Sequence, residues 1–131
     1  MLKFELGNSR KQGDAGMGIA IGWFAANGHT VCIPLTDSQD FDLVVTVNEK
    51  LKKVQVRTTK YKRYGKSYVV NLVVSGGNRS GIGKRKKFDS NLVDYLFVVT
   101  EENKKYYIPS FEITQKRVIY LTKKWDKFIV V

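Results

Sequence analysis

Between Ser9 and Asn27 the apolar residues Met17, Ala20, Ile21 and Phe24 recur at helical spacing, and the pattern stops at Gly28, a residue suited to a left-handed C-cap. This spacing predicts one amphipathic helix at the start of the chain. Along it Gly18, Gly22 and Ala26 recur every four residues, a small-residue stripe that predicts close approach of another element, since glycine in a helix otherwise costs up to about 1 kcal/mol relative to Ala. After Gly28 the period changes to two. Runs rich in Val, Ile, Tyr and Phe predict strands at Thr30–Pro34, Phe41–Val47, Leu51–Thr59, Ser67–Val74, Tyr95–Thr100 and Lys105–Ile108. Arg117–Leu121 and Asp126–Val131 are further candidates. Asp89–Val93 reads as a helical turn, and Ser75–Lys87 (SGGNRSGIGKRKK) as a mobile basic loop. A helix followed by a run of strands, with no repeat or linker in 131 residues, predicts a single domain of the α/β or α+β class.

Charge adds a direction to this outline. The chain carries 23 Lys and Arg against 12 Asp and Glu, a formal charge of +11, yet its hydrophobic fraction of 43% is that of a folded domain. Thirteen of the basic residues and none of the acidic ones fall between Lys50 and Lys87, so this stretch carries the whole surplus. A segregated positive field predicts a polyanionic partner, nucleic acid or anionic lipid, with a solvated surface as the plain alternative. Cys32 is the single cysteine, which excludes an intrachain disulfide, a zinc cluster or a CxxC pair and predicts a reducing, intracellular (cytoplasmic) compartment. The longest apolar run, Ala15–Ala26, is broken by three glycines and is short of a bilayer span, so no membrane association is expected.

The hairpin Asp37–Thr59 holds the residues best suited to chemistry. If its turn centres on Glu49 and Lys50, Asp42 falls opposite Arg57, with Gln55 diagonally across from Asp42 and all three on one face. A carboxylate, an amide oxygen and a guanidinium together suit a divalent metal and a phosphate. A cross-strand Asp–Arg ion pair is the plain alternative. His29, the single histidine, reads as an exposed turn residue, and no serine or cysteine has a nucleophile motif around it.

The blocks GDAGMGIAIGWFAANGHTVCIPLTDSQDFDLVV, KVQVRTT, VVSGGN, VDYLFVVT and YYIPS, in that order, resemble the small PD-(D/E)XK endonuclease family that includes intron-encoded homing endonucleases, over roughly Gly13 to Ser110. The resemblance implies an α/β core with a central mixed β-sheet, an N-terminal helix packed on it, and an active site on a bent strand hairpin. It implies that Asp42 binds metal, that Gln55 and Arg57 occupy the acid and lysine positions of the second half-motif, and that the Val56 carbonyl is a further ligand. The cofactor implied is Mg²⁺ or Mn²⁺. Arg57 stands where the pattern has lysine; arginine is bulkier, planar and permanently charged, so it can bind a phosphate but not act as a base. Met17 stands where the pattern often has a glutamate.

These readings predict a metal-dependent endonuclease acting on double-stranded DNA, with a nuclease-fold protein that binds DNA without cutting it as the second reading and an RNA-binding module as the third. Lys60, Lys62, Arg63 and Lys66, interleaved with Tyr61, Tyr64 and Tyr68, would contact phosphates, sugars and bases, with core packing as the alternative for Tyr68. Arg79, Lys84, Arg85, Lys86 and Lys87 would add phosphate contacts. A subunit of 15.0 kDa covers little duplex, so cutting both strands predicts a homodimer or higher homo-oligomer. Trp125 and Phe128–Val131 are candidates for either a subunit contact or core closure.

Overall fold

The computed structural model describes residues 1–4, 8–75 and 85–131. Helix α1 (Ser9–Ala26) begins at Asn8, whose side chain accepts from the Lys11 N–H, and it ends just before Gly28, which takes φ +84° as expected of a left-handed cap. Ala20 and Phe24 are buried on its inner face, with Met17 and Ile21 packed beside them. The small-residue stripe does not lie at this contact. Gly18, Gly22 and Ala26 are exposed, and the close approach occurs instead at Gly16, where an added Cβ would collide with Thr58 Cγ2. A four-residue repeat of small residues fits either side of a helix; the apolar period decides which side turns inward.

The strands follow in order: β1 (Val31–Cys32), β2 (Leu43–Val47), β3 (Lys50–Thr59), β4 (Lys62–Arg63), β5 (Ser67–Asn71), β6 (Val74–Ser75), β7 (Arg85–Lys86), β8 (Tyr95–Thr100), β9 (Lys105–Pro109), β10 (Val118–Tyr120) and β11 (Ile129–Val130). The main sheet has the order β1-β2-β3-β8-β9-β11 and is mixed, because β3 and β8 run parallel while their other neighbours are antiparallel. Strands β10, β5 and β4 form a smaller antiparallel sheet. The expected run Ser67–Val74 is thus two strands, β5 and the start of β6. The ends of the predicted basic loop pair as β6 and β7, while residues 76–84 lie outside the described residues. The C-terminal candidate is shorter than expected, since Lys123–Phe128 forms a 3-10 helix before β11.

Strand β8 is buried on both faces, as its unbroken LFVV run suggests. Phe97 and Val99 meet α1 together with Leu43, Val45, Val54 and Val56. Leu96 and Val98 meet Tyr68, Val70, Ile119 and Trp125 on the opposite face. Trp125 and Tyr68 therefore close the core. His29 is not an exposed turn residue: its ring sits 2.6 Å from the Thr46 carbonyl through Nδ1 and lies edge-on to Phe24. No helix among the described residues is long and apolar enough to cross a membrane.

Candidate active site and basic surface

The hairpin turn is Asn48–Glu49, both at positive φ (50° and 65°), closing Val47 against Lys50. The turn lies one residue earlier than expected, and the register moves with it. Continuing the observed ladder, in which Leu43 faces Val54, places Asp42 opposite Gln55, with Arg57 one step further along the same face. The Asn48 side of the turn tolerates left-handed backbone better than Lys50 does, which accounts for the shift.

Pairing between β2 and β3 stops at this point. Asp42 donates its backbone N–H to the Val54 carbonyl at 2.8 Å, and its carboxylate Oδ2 then accepts from the Val56 N–H at 2.8 Å. The side chain thereby takes the place of the next rung, and β3 runs on without β2 beside it. In a strand the N–H and C=O of one residue leave on the same side, so the Val56 carbonyl faces this opened edge as well. Val54 and Val56 meet the helix, and by strand alternation Gln55 and Arg57 turn to the opposite face.

Two polar atoms here are buried without a hydrogen-bond partner: Gln55 Oε1 and Arg57 Nε. Gln55 is 3% exposed and donates its amide to the Asp40 carbonyl at 3.3 Å, which leaves its oxygen unused. No ion pair joins Asp42 to Arg57 among the described residues, so the plain cross-strand reading is not what forms. Burial pushes the Asp42 carboxyl up from its ordinary value, against the Val56 N–H and the charge of Arg57, which both lower it. Burial likewise lowers Arg57, with Asp42 opposing. Buried polar groups are ordinarily hydrogen-bonded, so Gln55 Oε1 and Arg57 Nε each retain an unused polar atom.

A cleft of about 300 Å³ opens beside Arg57, lined by Ser9, Gln12 and Gly13 of α1, by Val56 and Thr58 of β3, and by Asn71 and Val73. Gln12 donates to Thr58 Oγ1 at 2.9 Å and ties the helix to the strand at the cleft wall. The sequence reading passed over Gln12 and Asn71, because their place at the cleft comes from packing between elements distant in the chain. Met17, at the position where a glutamate would be expected, packs into the core beneath α1. Among the described residues no three His, Cys, Asp or Glu side chains cluster as a metal site. Asp42 is the acidic residue among the candidates Asp42, Gln55, Val56 and Arg57.

The expected DNA contacts fall into separate groups. Tyr61, Tyr64 and Lys66 are exposed around the β4–β5 turn. Lys62 is engaged by Glu102 at 2.9 Å and lies over the Tyr68 ring at 4.7 Å, while Lys60 reaches the Phe4 carbonyl at 3.4 Å. Arg63 lies over the rings of Tyr64 and Tyr120. Arg85 and Lys86 are in β7, Lys86 is 3.9 Å from Asp40, and Lys87 is exposed. Arg79 and Lys84 lie outside the described residues.

Compared with solved structures, the chain is similar to a bacterial homing endonuclease, I-Ssp6803I, with 28% identity and a TM-score of 0.74 over 89% of this chain and 80% of that one. MepB is a more distant likeness, at 17% identity and a TM-score of 0.44 over 83% of this chain and 81% of that one. No curated protein sequence matches significantly. The family comparison matches PD-(D/E)XK endonucleases over residues 7–127, nearly the full length, and by this match the chain belongs to the PD-(D/E)XK endonuclease family.

Proposed function

We propose that the chain hydrolyses phosphodiester bonds in double-stranded DNA with a divalent cation, Mg²⁺ or Mn²⁺, at the site formed by Asp42, Gln55, Val56 and Arg57. The observation that supports this reading is the opened edge of β3, where the Asp42 carboxylate takes the place of the next rung, the Gln55 oxygen is buried without a partner, and Arg57 and Val56 line a cleft. The donor set fits a hard cation: Asp42 would supply the charge, and Gln55 Oε1 and the Val56 carbonyl would supply neutral oxygens. A cation held there by Asp42, Gln55 and the Val56 carbonyl would supply Lewis-acid chemistry, polarising the scissile phosphate and lowering the pKa of the attacking water.

The chain's own residues do the rest. Asp42 is held in place by the Val56 N–H, so its second carboxylate oxygen is oriented before anything binds. Arg57 neutralises charge that develops on the phosphate, and its guanidinium can grip two phosphate oxygens at once. It cannot take a proton from water at neutral pH, so the proton leaves through solvent or the phosphate itself. The likeness to a bacterial homing endonuclease supports DNA as substrate and, more narrowly, a homing role. A homodimer or higher homo-oligomer would bring a second site to the opposite strand.

A second reading, a DNA-binding protein of this fold with little or no cleavage, is favoured by one observation: Arg57 replaces a lysine while Met17 leaves the helix without a carboxylate at the site. A nicking assay on supercoiled DNA of mixed sequence, with Mg²⁺ or Mn²⁺ and with chelator, separates the two. Metal-dependent nicking that is lost in Asp42→Asn supports the first; tight binding without nicking supports the second.

A further inference from the structure

The outer face of the small sheet carries a feature that phosphate binding does not use. Strand pairing sets Arg63 opposite Ser67, Tyr120 opposite Val69 and Val118 opposite Asn71, so these side chains share one face while Tyr68, Val70 and Ile119 turn to the core. At one end of that face Asn71 lines the cleft beside Arg57. Towards the other, the Arg63 guanidinium carbon lies 5.2 Å from the Tyr64 ring centre and 5.0 Å from that of Tyr120. Tyr64, at φ 51° in the turn, is 82% exposed, and Tyr120 is 40% exposed. From Asn71 to Ser67 the strand rises about 13 Å, close to four base-pair steps of a duplex.

Most cations of this surface are tethered or point charges. Lys62 is held by Glu102, and Lys66 is a lone ammonium at the turn. Arg63 differs in being a flat fork of five donors in contact with two aromatic rings. Contact with the two tyrosines restrains the guanidinium, and a fork of five donors keeps enough of them to form two parallel hydrogen bonds. In a DNA major groove the acceptor pair that matches such a fork is O6 and N7 of guanine. A restrained fork loses little freedom on binding, and because the same fork also fits a phosphate, relaxation of a single base position in Arg63→Lys is what tells the two contacts apart.

We propose that Arg63, restrained by contact with Tyr64 and Tyr120, reads a guanine edge in the major groove of the bound duplex, making the β4–β5 turn a sequence-reading element distinct from the cleavage site. The inference rests on the reading of this chain as a duplex DNA-binding protein. A duplex lying along the outer face of β5, with a phosphate in the cleft at Asn71, would present its groove to Arg63.

The test is selection of bound duplexes from a randomised DNA library by the full chain, in parallel with Arg63→Lys and Tyr120→Ala. The wild type is expected to enrich a motif that contains a fixed guanine. Arg63→Lys keeps the charge and loses the fork, so the same motif should return with that guanine relaxed, a discrimination of roughly 10-fold or more being lost. Tyr120→Ala keeps the fork and removes one wall, and should weaken the same position without shifting another. The proposal is overturned if Arg63→Lys returns the wild-type motif, if the relaxed position is not a guanine, or if the wild type binds every sequence alike. A wild type that binds no duplex overturns the proposed function as well, which distinguishes the two failures.

Discussion

The carboxylate of Asp42 accepts a 2.8 Å hydrogen bond from the backbone N–H of Val56, in the place where the next rung of the β2–β3 ladder would stand. One side chain thus ends the pairing of two strands and leaves the edge of β3 beyond Val54 without β2 beside it. The Val56 carbonyl faces the same edge, the Gln55 oxygen is left without a partner, and Arg57 follows on the same face as Gln55.

Metal binding at Asp42 would depend on pH. Burial raises its pKa above the ordinary 3.8, so the folded protein binds this proton more tightly than the unfolded chain does. Its contribution to stability is therefore greatest at low pH, falls as pH rises between the ordinary and the raised value, and is constant above that. A cation competes with the same proton. Stabilisation by Mn²⁺, about 2.7 kcal/mol at a hundredfold excess over Kd, should be complete above the raised pKa and fade on acidification before ordinary aspartates titrate. Thermal melts with and without Mn²⁺ across pH measure this, and an unchanged Mn²⁺ effect in Asp42→Asn would count against the assignment.

Gly16 and Gly18 should respond to alanine with opposite signs. At Gly16 the new methyl meets Thr58, and overpacking of this kind costs about 1–3 kcal/mol. At Gly18 nothing lies within 4 Å, so alanine should stabilise the helix by roughly 0.5–1 kcal/mol. Urea denaturation of both variants checks the pair. Equal destabilisation would mean that α1 does not approach β3 through Gly16.

Salt dependence should sort the lysines. Lys66 is exposed at the β4–β5 turn, and Lys66→Ala should lower the slope of log K against log salt by about 0.9. Lys62 already has Glu102 at 2.9 Å, so Lys62→Ala should change the slope by less. Equal changes would show that the Glu102 pair opens when DNA binds.

Much of this was legible in the chain because local pattern and burial agree. Helix α1 follows the spacing of Met17, Ala20, Ile21 and Phe24, and β8 and β9 follow unbroken apolar or alternating runs. The shared face of Asp42, Gln55 and Arg57 survives the misplaced turn, because moving a two-residue turn by one position shifts the register by two and keeps strand faces aligned. What the pattern could not show is the partner opposite each residue. Whether Asp42 faces Arg57 or Gln55 depends on whether Asn48–Glu49 or Glu49–Lys50 adopts left-handed backbone. The two-residue strands β4 and β7 are too short to carry a period, and the place of Gln12 at Thr58 arises only when α1 docks on β3. The stripe of Gly18, Gly22 and Ala26 misled because small residues also occur on solvent faces.

Cleavage of supercoiled DNA by the wild type, Asp42→Asn and Arg57→Lys, each with Mg²⁺ or Mn²⁺ and again with chelator, tests the central claim most directly. The account predicts metal-dependent nicking by the wild type, a loss of about a thousand-fold in Asp42→Asn, and retained or increased nicking in Arg57→Lys. Nicking by Asp42→Asn at the wild-type rate would contradict it.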